Sequence, residues 1–166
     1  MATPPVPAVT LSLPDAAEAP HFEPMSWQTI EEGLDEENFT DKIVEHVQTG
    51  ASMCVLGGAG TGKSVCLRRV RSALQEQGLQ VACVSLTHCA ARNVDGVTCH
   101  SFVQKYVSNG VFAGHVVLID EISFLSVDLL AQLEQLRLKG TRLLAFGDFK
   151  QPPPVSNRWR GQVAPP

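Results

Sequence analysis

The chain is short of several things, and each shortage narrows the reading. Among its 166 residues there is one tyrosine and there are two tryptophans. No apolar run is long enough to cross a bilayer as a helix. The N-terminus, "MATPPVPAVT", has no basic region followed by an apolar one, which is the mark of a secretory signal. No two cysteines are spaced CxxC, and the five present (Cys54, Cys66, Cys83, Cys89, Cys99) are odd in number and sit mostly in apolar runs. They read as buried, reduced thiols, which points to an intracellular, reducing compartment, cytoplasm or nucleus, rather than to a disulfide framework or a metal centre.

Proline is absent from the whole interior. Six prolines lie in residues 1–24, five in 152–166, and none between. Residues 1–24, also poor in large apolar groups, read as a disordered, Pro-rich leader. Residues 25–155 read as the folded domain, and 156–166 as a tail at its edge. Basic charge is scarce at one end. Residues 1–46 carry ten acids and one base, Lys42, whereas residues 47–166 carry twelve bases and seven acids. The acidic leader reads as a solvated tail, and the mildly basic body permits a phosphate-binding surface.

What is present between the prolines alternates. Helical spacing marks residues 36–48, 63–77, 99–107 and 126–138. Short apolar runs at 51–56, 79–86, 115–120 and 141–146 read as buried strands. Ser126 is placed to cap the last helix, and Gly78 and Gly140 to end two of them. Strands alternating with helices predict an α/β domain, a mostly parallel sheet with helices on both faces.

Two stretches carry chemistry. "GGAGTGKS", Gly57–Ser64, follows the first strand, opens a helix and fits GxxxxGK[ST]. Glycines let the backbone curl so that its N–H groups face phosphate oxygens, so Gly58, Ala59, Gly60, Thr61 and Gly62 are candidate cradle residues. The helix N-terminus adds positive potential. Lys63 supplies a mobile cation for the β and γ phosphates, and Ser64 a hydroxyl for Mg²⁺. "VVLIDEIS", Val116–Ser123, buries a strand and releases Asp120 and Glu121 at its carboxyl end, where ligands of parallel sheets lie. Asp120 is placed to hold Mg²⁺, directly or through water. Glu121 is placed to orient and deprotonate an attacking water. A nucleoside triphosphate with Mg²⁺ is the expected ligand.

"GDFKQPPPV", Gly147–Val155, resembles the third motif of superfamily 1 helicases, GDxxQLPPV, with Pro152 at the usual Leu. "SLTHCAARNVDGVTCHSF", Ser85–Phe102, resembles the "APTGxAA…GxTIHSF" segment of the petite-integration-frequency branch, 5′-to-3′ DNA helicases related to RecD-like enzymes. Four ordered motifs cover most of residues 34–155. The resemblance implies a RecA-like fold, the first of two such domains in these helicases, and single-stranded DNA (or RNA) as partner. It implies that Gln151 senses the γ-phosphate, with Asp148 supporting its loop. Thr87, Thr98 and His100 would lie along the strand path, His100 either touching nucleic acid or packed. Phe102 either stacks on a base or belongs to the core.

This sequence departs from the pattern at two further places. Asn38 stands where the family uses a Gln to read adenine, and His88 replaces a glycine, adding a contact to the path or crowding it. The resemblance also implies that arginines of a second RecA-like domain, in cis or in trans, complete the site; lacking an arginine finger costs about 10³–10⁵ in rate in related systems. The expectation is therefore an ATP-dependent helicase motor domain, weak or incomplete as an isolated chain. The alternative is a nucleotide-dependent nucleic-acid-binding or regulatory module without turnover. No segment resembles the basic lid of a small kinase.

Overall fold

The computed structural model describes residues 36–148, 150–151, 158–159 and 162–163; side chains are described for 39–148 and 150–151. The predicted leader, 1–24, lies outside the described residues.

Val116–Ile119 (β4) is apolar at every position, and all four residues are buried. A strand with both faces apolar belongs in the middle of a covered sheet. Here it is flanked by β5 (Arg142–Gly147) and β2 (Val81–Ser85), beyond which lie β1 (Met53–Leu56) and β3 (Val97–Thr98). The order is β1-β5-β4-β2-β3, and every pairing is parallel. All five strands therefore end at one rim.

Alternation along the strands divides the core in two. On one face Cys83, Leu118, Leu144 and Phe146 pack under α1 (Glu36–Gln48) and α2 (Lys63–Glu76), which contribute Ile43, Val47, Leu67, Val70 and Leu74. On the other, Val84, Val117, Ile119 and Ala145 pack under Phe102, Val103 and α5 (Val127–Leu138), which buries Leu129, Leu133 and Leu136. Each fully buried side chain of this size contributes about 1.5–3 kcal/mol. The apolar stripes of the helices thus specify which side of the sheet each one covers.

The four predicted strands and four predicted helices are present, with three strands trimmed by one or two residues at their ends and the fourth shifted forward by one, to Arg142–Gly147. Ser126 caps α5 by accepting a hydrogen bond from the Leu129 N–H at 3.4 Å. The predicted helix over 99–107 is two pieces. An α-helical turn, α4 (Cys99–Phe102), runs into a π turn over Val103–Val107, closed by the Ser108 N–H to the Val103 carbonyl at 2.9 Å.

Three elements have no counterpart in the periodicity: α3 (His88–Asn93), the two-residue β3, and a hairpin of β6 (Arg158–Trp159) with β7 (Gln162–Val163) in the expected tail. Six residues are too few to show a helical period, and two too few to show alternation. Gly96 explains how β3 reaches the sheet. A Cβ there would lie 2.4 Å from the Cys83 carbonyl oxygen, so only glycine lets the chain come this close to β2.

Candidate functional site

The phosphate loop joins β1 to α2. Gly60 and Gly62 adopt left-handed backbone, φ 76° and 81°, which bends the chain back over the strand end. The Gly57 N–H bonds to the Gly147 carbonyl at 3.1 Å and anchors the loop to β5. Thr61 Oγ1 donates to the Gly58 carbonyl at 2.9 Å and closes the curl from inside. Helix α2 starts at Lys63, with Gly62 at its cap, no side chain bonded to the open N–H groups and no acidic residue in the first turn. An uncapped helix start within a glycine loop leaves N–H groups and positive potential that suit an anion. The Lys63 ammonium sits over the loop, donating to the Gly57 and Gly58 carbonyls at 2.7 and 2.6 Å.

Ser64 lies one residue further along α2, and its Oγ donates to Asp120 Oδ2 at 3.4 Å across 56 residues of sequence. The two groups expected to hold a cation are thus brought together. Asp120 follows β4 and is 3% exposed. Burial pushes its carboxyl above the ordinary range, opposed by the Glu121 N–H on Oδ1 at 3.1 Å, by Ser64 and by Lys63. Glu121 is raised too, by burial first and then by the Asp120 charge, with Lys63 opposing. Two adjacent carboxylates, both pushed toward the neutral form, are relieved when a cation joins them.

Glu121 also holds a left-handed backbone, φ 56° and ψ 46°, rare for a side chain of this size. The turn behind it is braced from β5. A Cβ on Gly147 would lie 2.6 Å from Ile122 Cγ2, so Ile122 sits directly on the glycine. Past β5, Asp148 is 9% exposed. Its Oδ1 accepts the Lys150 N–H at 2.9 Å, and its carbonyl accepts the Gln151 N–H at 3.1 Å. Asp148 therefore shapes the turn that presents Gln151, matching its expected supporting role. Lys63, Ser64, Asp120, Glu121, Asp148 and Gln151 line one cleft of about 440 Å³, together with loop residues Ala59, Gly60 and Gly62. A depression of similar size, about 450 Å³, lies at the β2–β3 edge, but its walls are largely apolar and carry no such set.

The nucleic-acid candidates occupy the other half of the same rim, after β2 and β3. Thr87 is the cap of α3, accepting the Ala90 N–H at 3.1 Å. Thr98 caps α4, accepting the Ser101 N–H at 3.3 Å and donating to Ser101 Oγ at 2.8 Å. Both threonines thus have a folding role, and Thr98 is buried. His88 and His100 stand exposed beside them, which resolves the packed alternative for His100.

Phe102 is corrected. It is 1% exposed, within the second core, with ring centroids 5.2 Å from Tyr106 and 5.1 Å from Phe112. No face of its ring is open to a base. Asn38 falls in the first turns of α1, and its side chain lies outside the described residues. Among the described cysteines all are free. Cys83 and Cys99 are buried with thiols pushed up to about 11 by burial, whereas Cys89, expected to be buried, is exposed. No helix among the described residues is long and apolar enough to cross a membrane. Sequence reading missed the brace of Gly147 against Ile122 and two buried hydroxyls without partners, Ser85 and Ser123.

These features define the class: a RecA-like α/β domain with a phosphate loop and a carboxylate pair at the carboxyl rim of a parallel sheet. Known proteins of this class agree. The AAA domain family model matches residues 41–163. The ATP-dependent DNA helicase PIF3 of Trypanosoma brucei brucei is 33% identical over 129 residues, 66% of this chain and 16% of that protein. Human ATP-dependent DNA helicase PIF1 is 31% identical over 140 residues, 69% of this chain and 22% of that protein. Among solved structures, Pif1 helicase from Candida albicans is 33% identical with a TM-score of 0.59, covering 74% of this chain and 34% of that one. Bacteroides Pif1 in complex with ADP-AlF3 and ssDNA is 26% identical with a TM-score of 0.62, covering 76% and 34%.

The chain belongs to the AAA domain family, and within it corresponds to the first RecA-like domain of superfamily 1 helicases of the Pif1 type. It spans about a fifth or less of the length of the curated relatives cited and about a third of the solved chains.

Proposed function

We propose that this domain binds ATP with Mg²⁺ in the 440 Å³ cleft and works as part of an ATP-dependent DNA helicase motor, with single-stranded DNA passing the β2–β3 half of the rim. One observation carries the reading: Ser64 and Asp120 meet at 3.4 Å beneath a phosphate loop whose lysine, Lys63, faces the same cleft. A cation there would neutralise charge on the β and γ phosphates.

The residues have separable tasks. The loop N–H groups and the α2 N-terminus hold phosphate oxygens. Lys63 exchanges its two carbonyl partners for phosphate, a stronger, charge-assisted acceptor. Glu121, half-buried with its carboxyl raised, orients a water and takes its proton. Gln151, on the Asp148 turn, reports the γ-phosphate position. Among the described lining residues Lys63 is the sole cation, so the arginines that stabilise the transferred phosphoryl group come from elsewhere in the motor. The exposed His88 and His100, beside the Thr87 and Thr98 caps, are the proposed contacts to the nucleic-acid backbone; RNA has the same phosphates and is a weaker second candidate.

A module without turnover would need the phosphate loop but not Glu121 in its braced turn, which favours the enzyme. The test is ATP binding and hydrolysis by the purified chain, with and without oligo(dT). Lys63→Ala is expected to lose ATP binding. Glu121→Gln is expected to keep binding and lose whatever turnover the wild type shows. Unchanged ATP affinity in Lys63→Ala would refute the assignment of the cleft.

A further inference from the structure

Ser85 ends β2, is 0% exposed, and has a hydroxyl with no hydrogen-bond partner. A buried hydroxyl left unpaired is costly, so its position calls for a reason. The register of the sheet supplies one. Cys83 pairs with Leu118 on the first core face, and Val84 with Ile119 on the second. The ladder continues with the Asp120 N–H bonded to the Val84 carbonyl at 2.8 Å. One residue further along each strand, Ser85 and Asp120 return to the first face, the one covered by α2 and reached by Ser64. On its other side Ser85 pairs in register with Thr98. Three buried polar side chains therefore stand in a row on adjacent strands: Asp120, Ser85 and Thr98, 3%, 0% and 7% exposed.

The row joins the two halves of the rim. Asp120 belongs to the cation site. Thr98 caps the turn that exposes His100 and Ser101. Each neighbour has room for one more donor. Asp120 holds one donor on each oxygen, and a carboxylate oxygen accepts two. Thr98 Oγ1 gives its own proton to Ser101 Oγ and accepts one N–H, leaving a lone pair. A serine hydroxyl has one proton and a free rotor, so it can serve only one of the two at a time.

We propose that Ser85 is a positioning residue that couples the nucleotide half of the rim to the nucleic-acid half, by sharing its single hydroxyl proton between the Asp120 carboxylate and the Thr98 cap. The inference rests on the functional reading above. When Asp120 is engaged in holding a cation, its appetite for further donors drops, and the hydroxyl turns to Thr98, tightening the cap of α4. When nucleic acid orders that turn, the same shift of the hydroxyl to Thr98 leaves Asp120 free for the cation. Such coupling is reciprocal by thermodynamic necessity.

The test measures the affinity of fluorescein-labelled oligo(dT) with and without a non-hydrolysable ATP analogue and Mg²⁺, in the full chain and in Ser85→Ala and Ser85→Thr. The wild type is expected to show a change in oligo(dT) affinity on adding the analogue. In Ser85→Ala that change should shrink by about fivefold, the worth of one ordinary hydrogen bond. Each ligand's affinity in the absence of the other should stay within about twofold in the same variant. Ser85→Thr, which keeps the hydroxyl, should retain the coupling. Thermal melting separates a structural role: a merely unpaired hydroxyl would give Ser85→Ala a higher Tm and intact coupling, and that outcome overturns the inference. A wild type that binds both ligands without coupling also overturns it, while leaving the nucleotide site standing. A wild type that fails to bind the analogue at all counts against the functional reading itself.

Discussion

Phe102 decides between two physical roles that its sequence context left open, and its substitution gives opposite signatures for each. With Phe146 it is one of the two largest fully buried side chains, packed edge-on against Phe112 and tilted against Tyr106. Truncating a buried aromatic ring costs about 3–5 kcal/mol through lost transfer energy and the cavity left behind. The two ring contacts lie within that figure, each contributing about 0.5–1.5 kcal/mol. For a chain of this size a kilocalorie moves Tm by about 2–4 °C, so Phe102→Ala should lower Tm by roughly 6–20 °C. Because a domain is stable by only about 5–15 kcal/mol, Phe102→Leu is the safer variant, costing roughly 1–2 kcal/mol. A stacking ring would behave otherwise. It would be worth about 1–3 kcal/mol per base in affinity and nothing in stability. Leucine has no π face, so it removes stacking entirely while keeping most of the volume. Urea denaturation and oligo(dT) titration of Phe102→Leu therefore separate the two. The core role predicts a lower midpoint and an unchanged affinity. An unchanged midpoint with affinity weakened about tenfold or more would refute the packing argument.

Asp120→Asn is expected to stabilise the folded domain at neutral pH. Burial raises the folded-state pKa of the carboxyl, so stability falls as pH rises through the carboxylate range and stays at the lower level above it. The gain from Asn, read by urea midpoints, should be largest at pH 7 and shrink as pH drops through that range; a loss of stability at pH 7 would sink the argument. Gly147→Ala places a methyl 2.6 Å from Ile122 Cγ2, on a β-branched side chain with little freedom to yield. The expected cost is about 1–3 kcal/mol, measured by denaturation, with part recovered in the double variant that adds Ile122→Ala. Additive losses in that double variant would show that the two residues do not press on one another.

The site was legible where chemistry and backbone geometry coincide in consecutive residues, and illegible where they depend on a neighbouring strand. Lys63 and Ser64 had to follow a strand and open a helix, and "VVLIDE" had to place its carboxylates past a strand end; both requirements lie within single stretches. A parallel sheet then does the rest. All its strands end at one rim, so motifs scattered from residue 57 to residue 151 converge without any long-range signal in the sequence.

Register is different in kind. That Ser85 stands between Asp120 and Thr98, or that Gly96 lets β3 approach Cys83 where a side chain would collide, follows from how two strands slide along one another. Such relations join residues 13 and 35 positions apart, and nothing periodic marks them. The same distinction explains Phe102. Its place in a short helix-like stretch was readable, but the α4 turn passes into a π turn at Val103, and only the partners Tyr106 and Phe112 show which way the ring points. The candidate ligand-facing residues were visible one motif at a time, whereas the residues that position them become visible only once the strands are paired.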